Sequence, residues 1–516
     1  GRPVVKSTPP SRFSSSDLIA GLSVALVLIP QSMAYAELAG LPPHHGLYAA
    51  GLPLIAAAFL ASSPYLQTGP VALTGLLTLG ALLPLAPAGT AEYAKLAALL
   101  ALVVGLARLL VGMLKAGWVV YLMSHSMMAG FLSAAAILIV SSQVPGALGG
   151  VEPLELGVLP RAWHGLTHPE NWELASIALT LITIGTIVMA ARVHPLVPGV
   201  LIASLTGLVF SLVTGYTGAT VGEIPSGFPI LSMDLPWDML PALIVPGLVI
   251  SVIGFAEGVS ISRVLASEDR QHWDADREFL SKGMANVVAA VTGGLPVGGS
   301  LSRTSLNRLA GAQSRWSGLV TGIAVMAFLP IAPMLSALPR AVLSGIVIAA
   351  IWKLVRPQDM IRIVKTSVPQ GIVAFVTFFG TLVMAPHIDR AILLGVAMSA
   401  AVHLWRELTP TVVSTREGDQ LIVDLSGVLW FGSAAALEDQ LFEQLADEPD
   451  VNKVVLRCSG LGRIDFSGAN VLHEMVDHAG RADIELTIED VPDHALRLLS
   501  AVGLLTLFET RSTQDT

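Results

Sequence analysis

Apolar stretches of about 20 residues recur between Asp17 and Trp405, and about 20 residues is the length that an α-helix needs to cross a bilayer core. Only 13% of the residues are charged and 53% are hydrophobic, whereas a soluble protein carries about 25% charged residues. The first stretch continues into further ones without a small-residue cleavage pattern, so we do not expect a removable signal peptide. The sequence therefore predicts a polytopic α-helical membrane protein.

Glycine, proline and charged residues divide the apolar region into fourteen segments. They are predicted at 17–39, 46–61, 69–83, 92–116, 118–144, 172–191, 196–216, 240–266, 280–294, 300–311, 316–337, 339–354, 367–385 and 388–406. The third and the tenth are too short to cross a bilayer alone. Because seven is odd, two halves of seven segments would have opposite orientations, which is the inverted-repeat architecture of secondary transporters.

Charged residues between the segments predict the orientation. On one side of the predicted topology lie the basic residues Arg2, Lys6, Arg12, Arg263, Arg270, Arg277, Lys282, Lys353, Arg356, Arg362 and Lys365. The opposite side holds the loops 145–171 and 217–239, in which a single basic residue, Arg161, accompanies the acidic residues Glu152, Glu155, Glu170, Glu223, Asp234 and Asp238. By the positive-inside rule, we expect a multi-pass protein of the cell (inner) membrane with both termini in the cytoplasm.

The third and tenth segments contain the sequences LQTGPVALTGLL (66–77) and LPVGGSLSRTSLN (295–307), which are interrupted by glycine and proline. Non-helical backbone at membrane depth is tolerated only where it is buried in protein or lines a cavity. In an inverted repeat, two half-helices would point their N-termini, with unpaired N–H groups and partial positive charge, at each other. The pattern predicts an anion site formed mainly by main-chain amides of Thr68, Gly69, Val71, Ser300, Leu301, Ser302 and Arg303.

Arg303 brings a full positive charge into the first turn of the tenth segment. Charges inside membrane segments mark functional sites by default, which favours the anion site. The alternatives are that Arg303 pairs with a buried carboxylate such as Glu257, or that its side chain extends to a membrane surface.

Glu257 lies deep in the eighth segment, where a carboxyl group needs a partner or a proton. It is predicted to couple transport to a proton or another cation such as sodium, or to be the static counter-ion of Arg303. In the first segment, Pro30 is expected to break the helix at mid-depth, with Gln31 and Tyr35 on one face beside the break. Both side chains are candidate substrate ligands, and the alternative is a kink that neighbouring helices satisfy.

Residues 30–77, which begin PQSMAYAELAGLPPHHGLYAAG, resemble the signature region of the SulP family of anion transporters, the sulfate permease-like carriers. GFAEGVSISRVLA (254–266) and the stretch around LSRTSLN (301–307) are similar to that family's eighth to eleventh segments.

The resemblance implies a transport domain (17–408) after an N-terminal cytoplasmic segment (1–16). This domain would comprise a core of segments 1–4 and 8–11 and a gate of segments 5–7 and 12–14, with elevator-like movement and homodimers. It also implies that the anion binds between half-helices 3 and 10. Glu257 matches a carboxylate position tied to cation coupling, where glutamate favours protons over sodium.

The C-terminal residues 411–516 differ in charge, with 7 Lys+Arg against 19 Asp+Glu. A strand pair is predicted at 420–434, a further strand at 452–461 and helices at 436–446 and 468–480, as in a small α/β domain. The only cysteine, Cys458, is predicted to be a small buried residue, and it excludes a disulfide framework within the chain.

The stretch RIDFSGANVLHEM (463–475) resembles the STAS domain, which occurs in bacterial anti-sigma factor antagonists and at the C-terminus of SulP carriers. Phe466 replaces the serine that is phosphorylated in the antagonists, while Asp465 is retained and Ser467 follows. The resemblance implies a cytoplasmic domain that positions the dimer or binds a cytosolic protein.

These observations predict a secondary transporter that moves a small anion, namely a dicarboxylate, bicarbonate or sulfate, by proton symport. An anion channel, an exchanger without proton coupling and a membrane sensor acting through the STAS domain are the alternatives. The spans contain no nucleophile–base pair, metal-ligand spacing or phosphate-binding loop, so neither an enzyme nor a cofactor is expected. The acidic C-terminal region argues against nucleic acid as a partner.

Overall fold

A computed structural model describes residues 13–150, 157–352, 357–407, 411–448 and 450–501. Seven of the charged residues on which the predicted orientation depends lie outside these ranges: Arg2, Lys6, Arg12, Glu152, Glu155, Lys353 and Arg356.

The chain forms two compact units, residues 1–399 and 400–516. In the part of the first unit that the structure describes, the regular elements are helices and two very short strands. In chain order its helices are α1 (Ser15–Leu38), α2 (His44–Ala50), α3 (Leu52–Leu60), α4 (Ala72–Leu82), α5 (Ala91–Met113), α6 (His125–Leu148), α7 (Val158–Thr167), α8 (Leu174–Val193), α9 (Gly199–Thr214), α10 (Leu240–Glu268), α11 (Ala275–Val291), α12 (Leu301–Leu309), α13 (Trp316–Phe328), α14 (Arg340–Ile351), α15 (Pro357–Thr366), α16 (Val368–Val383) and α17 (Ile388–Glu407), the last of which continues into the second unit.

Each of the fourteen predicted segments corresponds to helix in the structure. Within the described residues, seven helical stretches are long and apolar enough to cross a membrane and five shorter apolar ones accompany them, the pair α2–α3 counting as one. Helices α11 and α12 supply the ninth and tenth segments. Helices α7 and α15 lie between predicted segments, where loops are expected, and each is only ten residues long.

Helices α5 and α11 pack closely because glycines line their contact. A Cβ atom on Gly105 would lie 2.8 Å from the Val287 nitrogen, and one on Gly283 would lie 2.8 Å from the Leu109 nitrogen. Small residues at helix contacts let backbones approach in a membrane, where apolar packing alone gives little preference for one neighbour over another. This contact brings the charged neighbours of these glycines into the interior of the unit.

Strands β1 (Thr68–Gly69) and β2 (Gly298–Gly299) pair antiparallel, with Thr68 opposite Gly299 and Gly69 opposite Gly298. We call this pair the β1–β2 ribbon. Strand β1 leads into α4 and strand β2 leads into α12. Because the strands are antiparallel, the two short helices leave the ribbon in opposite directions, as an inverted repeat requires.

The second unit contains the strands β3 (Thr411–Glu417), β4 (Gln420–Leu429), β5 (Lys453–Ile464) and β6 (Glu485–Glu489) and the helices α18 (Ala434–Asp447), α19 (Phe466–Arg481) and α20 (Asp493–Ala501). Their sheet has the order β3-β4-β5-β6, with the first pair antiparallel and the other two parallel. A cluster of buried aliphatic residues, which includes Cys458, packs this α/β unit.

The predicted strand pair within 420–434 is wrong in one respect. This stretch forms the single strand β4, and its antiparallel partner is β3, which precedes it across a tight turn. Strand β3 is mostly exposed and largely polar, so the apolar pattern that signals a buried strand is weak there.

Candidate functional site

The N-termini of α4 and α12 lie at the β1–β2 ribbon. Val71 is the N-cap of α4, and its side chain makes no capping hydrogen bond. Ser300 caps α12 weakly, since its Oγ accepts from the Arg303 nitrogen at 3.4 Å. The first N–H groups of a helix have no partner inside the helix, so both ends present donors where the two chain segments meet.

Arg303 lies beside the ribbon and is 1% exposed. One terminal nitrogen, Nη1, donates to Oε1 of Gln31 at 3.0 Å, and Nη2 donates to the Pro70 carbonyl at 2.8 Å. Among the described residues, none accepts a hydrogen bond from the Nε–H of Arg303. The guanidinium group is thus held by neutral acceptors and keeps a donor unused.

Gln31 and Tyr35 are both buried, at 4% and 5% exposure. Gln31 contacts Arg303 directly. The predicted break at Pro30 is wrong, because α1 continues through this residue from Ser15 to Leu38. A proline inside a helix removes one backbone hydrogen bond and need not end the helix when neighbouring elements pack around it.

Most of the predicted site residues are buried, but the first turn of α12 is open on one side. Thr68 is 1% exposed and Val71 is 4% exposed. Leu301, in contrast, is 45% exposed, and Ser302 is also exposed. The start of α12 is therefore accessible on the side of Leu301 and Ser302 and closed on the side of Arg303.

Glu257 is half-buried on α10. Arg303 and Glu257 form no ion pair within 4 Å, and both hydrogen bonds of the Arg303 side chain go to neutral groups. The two side chains therefore make no direct contact, and the counter-ion role of Glu257 stays a prediction.

Glycines let α10 approach the ribbon. A Cβ atom on Gly299 would lie 2.9 Å from the Cα of Gly258, and one on Gly298 would lie 3.1 Å from the Gly254 carbonyl oxygen. Gly254 and Gly258 flank Glu257 in the sequence of α10. The backbone of this helix therefore fixes the position of Glu257 relative to β2.

Arg108 is a buried cation near the ribbon that the sequence analysis missed. It is 0% exposed on α5, and its Nη1 donates to the Val297 carbonyl at 2.7 Å. Its other nitrogens donate to the carbonyls of Ser251 and Ile250 on α10. A lone arginine within an apolar segment indicates a buried, hydrogen-bonded charge, so Arg108 could have been identified from the sequence.

Lys282 was predicted to be a charge flanking the ninth segment, and the structure corrects this. It lies inside α11 at 2% exposure, and its Nζ donates to Oγ1 of Thr68 on β1. Its Nζ also lies 3.4 Å from Oε1 of Glu278, which is 0% exposed. Three buried cations thus hydrogen-bond to residues 68, 70 and 297 in or next to the ribbon.

In the second unit, Asp465 has a structural role. Its Oδ1 accepts from the Gly468 nitrogen at 2.8 Å and caps α19, and its Oδ2 accepts from the Phe431 nitrogen. Phe466 is 63% exposed, and Ser467 is exposed.

The arrangement at the ribbon is suited to reversible binding of an anion. Two helix N-termini and one arginine supply positive potential and hydrogen-bond donors. The described residues include no group of three or more His, Cys, Asp or Glu side chains that could hold a metal ion.

Comparison with known families gives two matches. The sequence profile of the Sulfate permease family matches residues 15–377, and that of the STAS domain matches residues 411–516. Both resemblances inferred from the sequence are thereby confirmed.

Curated relatives include the chloroplastic sulfate transporter 4.1 of Arabidopsis thaliana, which is 30% identical over 93% of this chain and 76% of its own. The probable sulfate transporter Rv1739c of Mycobacterium tuberculosis (strain H37Rv) is 32% identical over 77% of this chain and 72% of its own. These relatives are named as transporters and not as enzymes, which agrees with the prediction.

Solved structures share the fold. The murine Solute Carrier 26 family member A9 anion transporter in the inward-facing state gives a TM-score of 0.85 at 21% identity, over 96% of this chain and 89% of that one. The transmembrane domain of the cyanobacterium bicarbonate transporter BicA gives a TM-score of 0.63 at 23% identity, over 74% and 96% of the respective chains.

Proposed function

Because the chain belongs to the sulfate permease family, we propose that it is a secondary transporter that carries a small anion across a membrane. The relatives above are named as sulfate transporters, which supports sulfate among the three anions considered from the sequence. Bicarbonate and C4-dicarboxylates remain within the proposal, because main-chain amides and one arginine recognise charge more than shape.

One observation carries this proposal: two helix N-termini meet at the β1–β2 ribbon beside a buried arginine with an unused donor. A dehydrated cation next to two positive helix ends is costly by itself. An anion between α4 and α12 would offset that cost and accept hydrogen bonds from first-turn N–H groups that have no partner inside their helix. The Ser300 and Arg303 nitrogens are not among them, since they donate to the Gln67 carbonyl and to Oγ of Ser300.

The proposed transport step is a movement of the core segments 1–4 and 8–11 relative to the gate segments 5–7 and 12–14. The anion would travel with the core, since both half-helices belong to it. The exposed face at Leu301 and Ser302 is the proposed side of entry. Cytoplasmic termini, a cytoplasmic STAS domain and a homodimer complete the proposal.

Glu257 is the proposed coupling group. It is half-buried on α10 beside Gly258, which contacts β2, and it forms no ion pair with Arg303. A carboxyl group in such a position exchanges a proton at lower cost than it keeps a permanent charge. Protonation during uptake would make transport a proton symport.

The test is uptake of labelled sulfate by the purified full chain in liposomes, with and without an inward proton gradient. We expect Arg303→Ala to lower uptake at least about tenfold, because the variant loses a charge-assisted contact to the anion. Arg263→Ala is the control, since this arginine is exposed on α10, and its uptake should equal that of the wild type. Normal uptake of sulfate, bicarbonate and succinate by Arg303→Ala would contradict the proposed site.

Glu257→Gln serves as the second arm of this experiment. The variant keeps the size of the side chain but cannot release a proton. We expect exchange of internal for external anion to persist while stimulation by the proton gradient disappears. If stimulation is unchanged in this variant, the coupling group lies elsewhere.

A further inference from the structure

Lys282 and Glu278 form a buried ion pair next to the proposed anion site, and neither the family match nor the site described above assigns a role to it. The lysine is on the ribbon side of the pair, where its Nζ donates to Thr68. The glutamate is on the far side, where its Oε2 accepts from the backbone nitrogens of Ser62 and Ser63, both at 3.0 Å. The two side chains are 2% and 0% exposed.

We propose that this pair sets how strongly the site prefers doubly charged over singly charged anions. The inference rests on the proposed anion site. The pair carries no net charge, but its positive end contacts β1 and its negative end is turned away and held by two amides. Its dipole therefore raises the electrostatic potential at the ribbon.

The physical argument concerns how binding energy scales with charge. An anion of charge −2 gains twice the electrostatic free energy that an anion of charge −1 gains in the same potential. A substitution that changes only the potential must therefore change the affinity for a dianion by the square of the factor by which it changes the affinity for a monoanion. A substitution that merely loosens the site has no reason to obey this relation.

Two substitutions should act in opposite directions. Lys282→Met leaves Glu278 unneutralised and lowers the potential at the ribbon. Glu278→Gln leaves Lys282 unneutralised and raises the potential, while the Gln carbonyl still accepts from the backbone at residues 62 and 63. One unit charge at roughly 10 Å in a medium of effective dielectric constant about 20 changes affinity on the order of tenfold per anion charge.

Sulfate and perchlorate are suitable probes, because both are tetrahedral and they differ in charge. Their dissociation constants would be measured by titration calorimetry on the full chain in detergent at constant ionic strength. For Lys282→Met we expect affinity to fall about tenfold for perchlorate and about a hundredfold for sulfate. For Glu278→Gln we expect both affinities to rise, again with the larger change for sulfate.

Thr68→Val is the matched control. It removes the hydrogen bond between Thr68 and Lys282 without removing a charge, so it should change both affinities by a similar factor. If Lys282→Met does not fold, Glu278→Gln alone still decides the sign of the effect.

If Lys282→Met and Glu278→Gln change the affinities for sulfate and perchlorate by the same factor, the inference is wrong. The proposed transport function would not be affected by that result. A fall in sulfate preference for Glu278→Gln would also overturn it. If the wild type binds neither anion and transports none, the proposed function itself fails, and the inference fails with it.

Discussion

Gly299 has no Cβ atom, and this allows a close backbone contact at the site. Its backbone lies against the backbone of Gly258 on α10, and a Cβ atom there would be 2.9 Å from the Gly258 Cα. No rotamer change can relieve such a contact, because both partners are main chain. Either α10 or the ribbon would have to move.

We predict that Gly299→Ala lowers sulfate affinity and destabilises the protein by about 1–3 kcal/mol, the usual cost of overpacking. Gly185→Ala is the control, because no atom of the described part of the chain lies within 4 Å of a Cβ at that position on α8. Thermal unfolding in detergent and calorimetric titration with sulfate would measure both variants. If the two variants have the same stability and the same sulfate affinity, the contact between α10 and β2 does not constrain the site.

At the scale of elements, α1 is anchored at its start. Ser14 and Asp17 form a capping box, in which Oδ2 of Asp17 accepts from the Ser14 nitrogen. Asp17 is 0% exposed and also accepts from the nitrogens of Gln313 and Ser314 at 2.8 and 2.9 Å. One carboxylate therefore caps α1 and ties it to the turn between α12 and α13. Through this tie, the helix that carries Gln31 is held to the helix that carries Arg303.

We predict that Asp17→Ala lowers the free energy of unfolding by about 2–3 kcal/mol, since hydrogen bonds to a charged acceptor are lost and buried donors remain. Glu92→Ala is a suitable comparison. This residue is also an acidic group in a first helical turn, on α5, but it is exposed. Glu92→Ala should lower the free energy of unfolding by only about 0.3–1 kcal/mol, because it loses only the interaction of the carboxylate with the helix dipole. Thermal unfolding of the detergent-solubilised chain would separate the two, and similar losses would contradict the proposed role of Asp17.

For the whole molecule, the two units follow different solvation rules. The first exposes many large apolar side chains, such as Leu174 at 80% and Val383 at 80%, as a surface that faces lipid does. The second buries its aliphatic residues in one cluster around a four-stranded sheet. Its net charge is −12, from 7 Lys+Arg and 19 Asp+Glu in residues 411–516. The surface of the first unit thus suits lipid, and the surface of the second suits water.

We predict that residues 411–516 fold by themselves in water, and Cys458 provides the measurement. This only cysteine is 0% exposed, and burial raises the pKa of its thiol to about 12. Since the thiolate is the reactive form, maleimide labelling at pH 8 should be slow in buffer and fast in urea. Equally fast labelling in both conditions would show that the isolated unit does not fold.

Much of the first unit is predictable because the signals are local. Hydropathy and segment length identify the fourteen segments, and glycine and proline mark the two that are interrupted. Pro30 misled the prediction, because whether a proline ends a helix depends on what packs around it. Strand β3 was missed for a different reason, since an exposed strand carries little apolar pattern.

Hydropathy and residue pattern establish that this chain crosses a membrane, that glycine and proline break two of its segments, and that Arg303 lies at one of these breaks. The packing of distant helices was needed to show that Arg303 meets a carbonyl 233 positions away, at Pro70, and that Lys282 and Arg108 are buried beside the same ribbon. The physical reason is that hydropathy and helix-breaking depend on neighbours in the chain. The burial of a charge depends instead on acceptors that distant helices bring to it.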